Sequence, residues 1–579
     1  RHQASAQAYV LLGDMPRAQA ELEQAVELDP KNVALRSQLA RVLMATDVSA
    51  ARVQLEEMRK LDPDNAEARR HLATILASSG SADDWAEAEK LLQQSMPESA
   101  AGDDRLRALL LSRRGGSWDD RQRNLQQAQS ILEALVKKPD YQAMDIDYML
   151  LAGVYQQQSV LKHDLAGPGA GGGGASAASP QVGQASPEAL MELSRITLRK
   201  ILDKASPTAS NLRTYVEFLI RGLDTPVMAS APLTQREEWS RDAANRLDEL
   251  ELRLSQSGQG DSLEVVALRV ALLKARQEDS AAADLLEKFL AQRLSTLKDG
   301  LDDDAKTRLY LQVGNLYSSL ERHAEAQACY EKLRQRAPQA YAPLALSLAA
   351  GGKFVEAVDL CLEAAASDPS PAVATTLAQL LSNPLYRQEK LQQADEVIQA
   401  RLNDHAEDTQ LLLAVAVLYV TRDDIDQAIS VFRRVLEIDP ENLLALNNLA
   451  TLLGEREADR RDAVSYIDRA IAVAGRSAPL LDTRGTIFVY LGDANRAIAD
   501  LEEAVASGAA DPRYYFHLAA AYQRAGRLAD AQIMHQAARR RGLDGALLTA
   551  SDKQLLADLE RALGSQSGQR VNVSQREGT

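Results

Sequence analysis

The sequence predicts an all-α solenoid, an array of about 14 stacked helical hairpins. Three observations carry that prediction. The chain has 579 residues, more than one hydrophobic core normally organises, so an elongated array or several domains is expected. Aromatics make up only 4%, while alanine, leucine, glutamine, glutamate and arginine abound, and these are strong helix formers. The third observation is a recurring punctuation: "VELDPKNVAL" at Val26–Leu35 returns as "LDPDN" at Leu61–Asn65 and "IDPEN" at Ile438–Asn442.

That punctuation has a physical reading. A residue before proline is pushed out of the helical region, proline does not continue the helix before it, and an asparagine two positions later can cap the next helix. DPxN is therefore a hinge between helical hairpins. Within a hairpin, "HLAAAYQRAGRLADAQIMHQA" (His517–Ala537) predicts an amphipathic helix, a tight turn at Gly526 and a second amphipathic helix. Gly485, Gly492, Ala497 and Ala504 stand 34 residues before Ala519, Gly526, Ala531 and Ala538. Small residues at such positions let two helix backbones approach closely, and a neighbouring tyrosine fills the groove beside them.

With this period the sequence resembles the tetratricopeptide repeat proteins, whose unit is a helix-turn-helix of 34 residues. Ala416, Tyr419, Ala428, Phe432 and Pro440 occupy the family's small, aromatic and proline positions, as do Gly314, Tyr317, Ala326, Tyr330 and Pro338. At the amino end, Tyr9, Gly13, Ala18, Leu22, Ala25 and Pro30 repeat the pattern. The family's first-helix tryptophan is absent, since Trp85, Trp118 and Trp239 fall elsewhere. The resemblance implies a right-handed superhelix and a bacterial-type multi-repeat protein.

Taken in order, residues 1–102 form an amino-terminal array and 103–297 a divergent stretch of similar hairpins. The divergent stretch carries two insertions, a glycine- and serine-rich loop at 166–187 expected to be disordered and a second at 223–235. Residues 298–545 form a carboxyl-terminal array, 551–563 a capping helix and 564–579 a polar, disordered tail.

Composition excludes several function classes. The formal net charge of −16 repels phosphate backbones, and no basic stripe offsets it, so nucleic acid is not an expected partner. The longest uncharged apolar run, "LLLAVAVLYV" at Leu411–Val420, is half the length a membrane span needs. The chain begins at Arg1 rather than methionine, which leaves room for a signal peptide or anchor ahead of it. Cys329 and Cys361 are too few for a disulfide framework or zinc cluster and are expected to be buried thiols.

Motifs of catalysis are decoys. "GDSL" at Gly260–Leu263 copies an esterase signature but opens a helix, with Asp261 or Ser262 as N-cap. "STLK" at Ser295–Lys298 lacks the companion motif of penicillin-binding enzymes. The glycine-rich insertion contains no phosphate-cradling pattern, and the seven histidines form no ligand pair at helical spacing. "DDD" at Asp302–Asp304 suits a helix amino end and "RRR" at Arg539–Arg541 a carboxyl end. No catalytic residue, cofactor or metal is predicted.

In similar proteins first helices line a concave face that holds peptides. Spacing of i, i+3, i+7 and i+10 selects Arg308, Leu311, Asn315 and Ser318, then Gln410, Leu413, Val417 and Val420, then Asn447 and Thr451, Asp482 and Thr486, Arg513 and Phe516. Leu413 and Val417 stand where chaperone-binding members place carboxylate-gripping side chains, and Asp482 would repel a carboxylate, which disfavours a carboxylate clamp. The expected function is a non-catalytic scaffold for protein or peptide partners. The resemblance leaves two alternatives: an envelope assembly, exopolysaccharide export or secretion protein, or the recognition arm of an enzyme such as a glycosyltransferase whose catalytic domain lies outside this chain.

Overall fold

The computed structural model describes all residues except 1, 12–13, 79–81, 95–98, 115–117, 167–184, 204–206, 258–261, 299–301, 384–390, 507–510, 547 and 575–579. Among the described residues every regular element is helical. In chain order the helices are α1 (His2–Leu11), α2 (Met15–Leu28), α3 (Val33–Thr46), α4 (Val48–Leu61), α5 (Ala66–Ser78), α6 (Ala82–Gln93), α7 (Ala100–Arg113), α8 (Trp118–Lys137), α9 (Asp145–Ala166) and α10 (Pro187–Arg199). They continue as α11 (Ala209–Leu223), α12 (Pro226–Ser230), α13 (Leu233–Gln256), α14 (Leu263–Ala275), α15 (Asp279–Thr296), α16 (Asp303–Ser319), α17 (His323–Arg336), α18 (Ala342–Ala350), α19 (Phe354–Ala365) and α20 (Pro371–Leu381). The rest are α21 (Leu391–Asp404), α22 (Thr409–Thr421), α23 (Ile425–Ile438), α24 (Leu443–Glu455), α25 (Arg460–Ala474), α26 (Ala478–Leu491), α27 (Ala494–Ala506), α28 (Pro512–Arg524), α29 (Leu528–Arg540) and α30 (Ala550–Ser574).

Helices pair as hairpins, α1 with α2, α3 with α4, α5 with α6 and α7 with α8, then α11 with α13 across the short α12, and α14 with α15 through to α28 with α29. The chain divides into two compact units, Arg1–Lys162 with Ala177–Lys200 and His163–Ser176 with Ile201–Thr579. The division falls inside the stretch read as divergent.

The hinge is built the same way each time. Asn32, Asn65 and Asn442 each accept the backbone N–H three residues on, at 3.1, 2.9 and 3.1 Å, capping the next helix. Their Nδ2 groups donate to Asp29, Asp62 and Asp439 at 3.0, 3.1 and 3.0 Å. One Asp-Pro-X-Asn string thus closes one helix and opens the next.

The turn inside a hairpin also recurs. Gly492 (φ 76°) and Gly526 (φ 75°) are left-handed, and so are Gly352, Gln277, Glu321 and Asp423 at the corresponding turns. In each, the next residue donates to the carbonyl five residues back, as Arg527 does to Tyr522 at 2.9 Å and Asp493 to Phe488 at 3.0 Å, satisfying a carbonyl the helix end leaves open.

The core runs from hairpin to hairpin. In the first unit Leu22, Leu39, Leu55, Leu72 and Leu91 are buried in turn, and in the second Tyr317, Tyr330, Phe432 and Ile467. Each contributes about 2 kcal/mol by leaving water. Gly314 and Gly485 are two of the close approaches: a Cβ there would lie 2.5 Å from the Tyr330 ring and from Leu501 Cγ, respectively. Cys329 and Cys361 are buried free thiols, and burial pushes them up to about 11 and about 12, so they stay protonated and inert.

Several expectations are corrected. The 223–235 insertion is not a plain loop, because Thr225 caps α12 and Val227 and Met228 are fully buried. α30 runs to Ser574, through most of the tail expected to be disordered, since "GSQSGQRVNVS" holds no proline to stop a helix already begun. Most of the glycine-rich insertion lies outside the described residues. Ser262, one of the two N-caps expected for "GDSL", does cap α14 by accepting from Val265.

Candidate interaction face

The predicted positions do not form one continuous surface. Phe516 is 0% exposed and Leu413 7%, so both belong to the core. The i, i+3, i+7 rule finds one stripe of a helix, but hairpin packing buries the flanks of that stripe as well. Leu311 is half-buried against the core. Arg308, Gln410, Val417 and Arg513 are exposed, and Val420 is half-buried beside the core. Arg513 is turned onto Asp511, with Nη2 to Oδ2 at 2.6 Å. Asn447 and Thr486 each hold a buried side-chain oxygen without a hydrogen-bond partner, and Thr451 bonds back to the Asn447 carbonyl at 3.0 Å.

Two places gather chemistry. The first is a groove of about 380 Å³ lined by Asn315, Ser318, His323, Tyr330, Ala342, Pro343, Leu346, Ser347 and Ala350, on α16, α17 and α18. Tyr330 is buried because its ring packs over Gly314, and this aims its hydroxyl at the groove. There it donates to Asn315 Oδ1 at 2.8 Å and lies 3.1 Å from Ser318 Oγ. Opposite this polar wall, Leu346 is 41% exposed although apolar, while Ser347 is 6% exposed. Ser347 Oγ has no hydrogen-bond partner, and its carbonyl already accepts from Gln327 at 3.2 Å. A buried hydroxyl left unpaired costs about 1–3 kcal/mol, which a ligand atom would return.

The second place is a buried histidine. His517, on α28, sits between Asp482 Oδ1 at 2.7 Å from Nδ1 and Asp552 Oδ1 at 3.2 Å from Nε2. Burial opposes the imidazolium, but Asp482 and then Asp552 outweigh it and raise the histidine to about 10. Asp552 is resisted by burial yet held below the usual carboxylate range by His517. His517 is thus charged at neutral pH. Near it, burial raises Glu455 at the end of α24, with Thr549 and Ser551 in hydrogen-bonding reach and the Asp552 charge adding to the shift.

Sequence reasoning found Asn315, Ser318 and Asp482 but missed Tyr330, Leu346, Ser347, His517 and Asp552 as site residues. The last two left a trace. Asp482, His517 and Asp552 are spaced 35 residues apart, so acid, base and acid recur one residue beyond the 34-residue period. Leu346 and Ser347 left none, because they face Asn315 and Ser318 only once the next hairpin, opening with α18, has seated on α16 and α17.

Among the described residues no helix is long and apolar enough to cross a membrane. One tetratricopeptide repeat model matches residues 311–371 and 483–542, and another matches 2–32 and 409–442. A TPR repeat-containing protein of Methanocaldococcus jannaschii, MJ1428, is 28% identical over 149 residues, 26% of this chain and 25% of that protein. The chain therefore spans about a quarter of that curated relative's length. Among solved structures it is similar to yeast Tom70, at 14% identity and a TM-score of 0.33 over 100% of this chain and 98% of the other. It is also similar to the APC/C Cut9–Hcn1 assembly, at 16% and 0.29 over 92% and 95%. The type IV pilus biogenesis factor PilW is 23% identical with a TM-score of 0.28 over 35% and 93%.

Proposed function

We propose that this chain, a tetratricopeptide repeat protein, is a non-catalytic scaffold that takes a peptide segment of a protein partner in the groove between α16, α17 and α18. The observation that carries this reading is the pairing of the Asn315–Tyr330–Ser318 wall with exposed Leu346 across the groove. Tyr330 occupies Asn315 Oδ1 and leaves the Asn315 Nδ2 donors for a peptide carbonyl. Leu346 and Pro343 offer apolar contact to a side chain, and the Ser347 hydroxyl offers a hydrogen bond within reach of the groove floor. The groove carries no Lys, Arg, Asp or Glu, which favours an uncharged peptide segment. Its walls are packed helices, so little ordering is lost on binding.

Selection of peptides from a displayed library against the full chain tests this. A selected peptide is expected to lose at least tenfold in affinity by calorimetry on Leu346→Asp or Asn315→Ala, and to be indifferent to Leu252→Asp at the exposed position on α13. Equal binding to all variants would remove the groove as the site.

A further inference from the structure

The stretch "TASDKQLLADLERAL" (Thr549–Leu563) opens α30 with a capping box. Asp552 N–H donates to Thr549 Oγ1 at 3.1 Å, and Thr549 N–H donates to Asp552 Oδ2 at 3.3 Å. The other oxygen of Asp552 is the one that meets His517 at 3.2 Å. Thr549 and Ser551 reach Glu455. The first turn of α30 therefore touches α24 and α28, and His517 hands its charge on to Asp482 of α26. Three successive first helices take part in holding one helix start.

The remainder of α30 is weakly held. Its described residues bury only Asp552, Leu555 and Leu559, whereas α28 beneath it buries every residue from Tyr514 to Tyr522. Lys553, Gln554, Ala557, Glu560 and Arg561 are exposed. His535 meets Glu560 at 3.3 Å, a contact at the edge of the face. Burial raises half-buried Glu455, and the Asp552 charge adds to that rise when α30 is docked. A specific polar lock at one end and two buried leucines describe a ligand more than a core helix.

We infer that α30 is an exchangeable occupant of the α24–α26–α28 face, and that this face takes a partner helix opening with Ser/Thr-x-x-Asp-x-x-Leu-x-x-x-Leu, which displaces α30. Each position has a counterpart. The carboxylate at the fourth position meets His517, the hydroxyl at the first completes the cap, and the two leucines lie on the same side of the helix as the carboxylate. The consequence rests on the scaffold reading, but the face is not the groove at Leu346, so the two are tested apart.

The probe is a labelled peptide copying residues 548–563, titrated by fluorescence anisotropy into the full chain. Asp552→Asn in the chain weakens the resident helix, and that variant is expected to bind the probe at least tenfold more tightly than the unaltered chain. Asp552→Asn in the probe, or His517→Gln added to the chain variant, is expected to abolish this gain. Leu346→Asp is expected to leave it intact. Equal probe binding by both chains, or a loss of helicity in Asp552→Asn by circular dichroism larger than α30 alone contributes, would make α30 a fixed structural cap and overturn the inference. Hydrogen exchange on the unaltered chain is an independent check: amides of 553–563 are expected to exchange at least tenfold faster than those of 514–522, and equal protection would also overturn it.

Discussion

From α5 to α7 and from α7 to α9, each first helix is tied to the next by a buried arginine–aspartate pair, while α24 meets α26 through a small residue against a large one. Asp103 is 0% exposed, with Arg69 at 2.8 Å and Arg70 at 2.6 Å, and Asp147 is likewise 0% exposed, with Arg105 at 2.6 Å and the Tyr141 hydroxyl at 2.7 Å. At the other contact, a Cβ on Gly454 would lie 2.7 Å from Ile487 Cγ1, so only glycine admits the neighbour. The same hairpin therefore joins its successor by two kinds of physics. A buried ion pair sets which side chains face each other but adds little net stability, because desolvation offsets attraction. Close packing adds dispersion and apolar burial and is intolerant of volume.

The largest expected effect breaks the ionic side. Asp103→Ala strands Arg69, whose side chain is 2% exposed, as an uncompensated buried cation, and is expected to cost about 3–5 kcal/mol. Hydrogen exchange should show it as lost protection in α5 and α7. Arg69→Met with Asp103→Leu is expected to recover most of that protection, because a well-packed apolar pair replaces both charges.

Next comes the packed side. Gly485→Val places a Cβ 2.5 Å from Leu501 Cγ within the α26–α27 hairpin, and is expected to cost about 1–3 kcal/mol in urea denaturation. Adding Leu501→Ala should relieve the overlap and return part of the loss, whereas no charge substitution should.

Acid separates the two regions with less force. The Asp147 carboxyl is opposed by burial but held below its ordinary value by Arg105, Tyr141 and the Met144 N–H. Its folded value is depressed, so its contribution is complete above the unfolded value near 3.8 and is lost as pH falls through the folded one. Pepsin digestion at progressively lower pH, below about 4, is expected to cut between α7 and α9 before it cuts between α24 and α26, where the Gly454–Ile487 contact carries no charge. Simultaneous cleavage would show that the ionic tie is not what holds the first region.

The smallest effects lie in the hairpin turns. Among the described residues every positive φ falls at Gln277 or beyond, while the α3–α4 turn is made by Asp47 in extended geometry, closing one helix and capping the next. Gln277→Gly is expected to stabilise by about 1 kcal/mol, and Gly526→Ala to destabilise by a similar amount, because a left-handed Cβ is strained. Local hydrogen exchange around each turn reads the difference.

This contrast also explains what was legible. The four segments that match repeat models lie at 2–32 and from 311 onward, where small and aromatic positions repeat and the turns are mostly glycine or a residue tolerated in their place. The divergent stretch begins at residue 103, and at its start Asp103, Arg105 and Asp147 do work done elsewhere by glycine and tyrosine. A charge on a helix looks the same in sequence whether it is solvated or meets a partner 34 residues away. For the same reason Asp482 was read as a peptide-facing charge and His517 was passed over, although they form one buried pair.

The sequence alone determined the repeat: the Asp-Pro-X-Asn hinge, the glycine turns at Gly492 and Gly526, and the small-for-large seats at Gly314 and Gly485 are local, and local backbone preference and volume suffice to specify them. Only the tertiary structure decided which exposed stripe is a surface. It buried Leu413 and Phe516, opened a groove at Leu346, and brought Asp482, His517 and Asp552 from three helices onto one proton-binding centre. Those outcomes depend on how each hairpin seats on the next, a sum of many side-chain contacts whose partners lie about one repeat away along the chain.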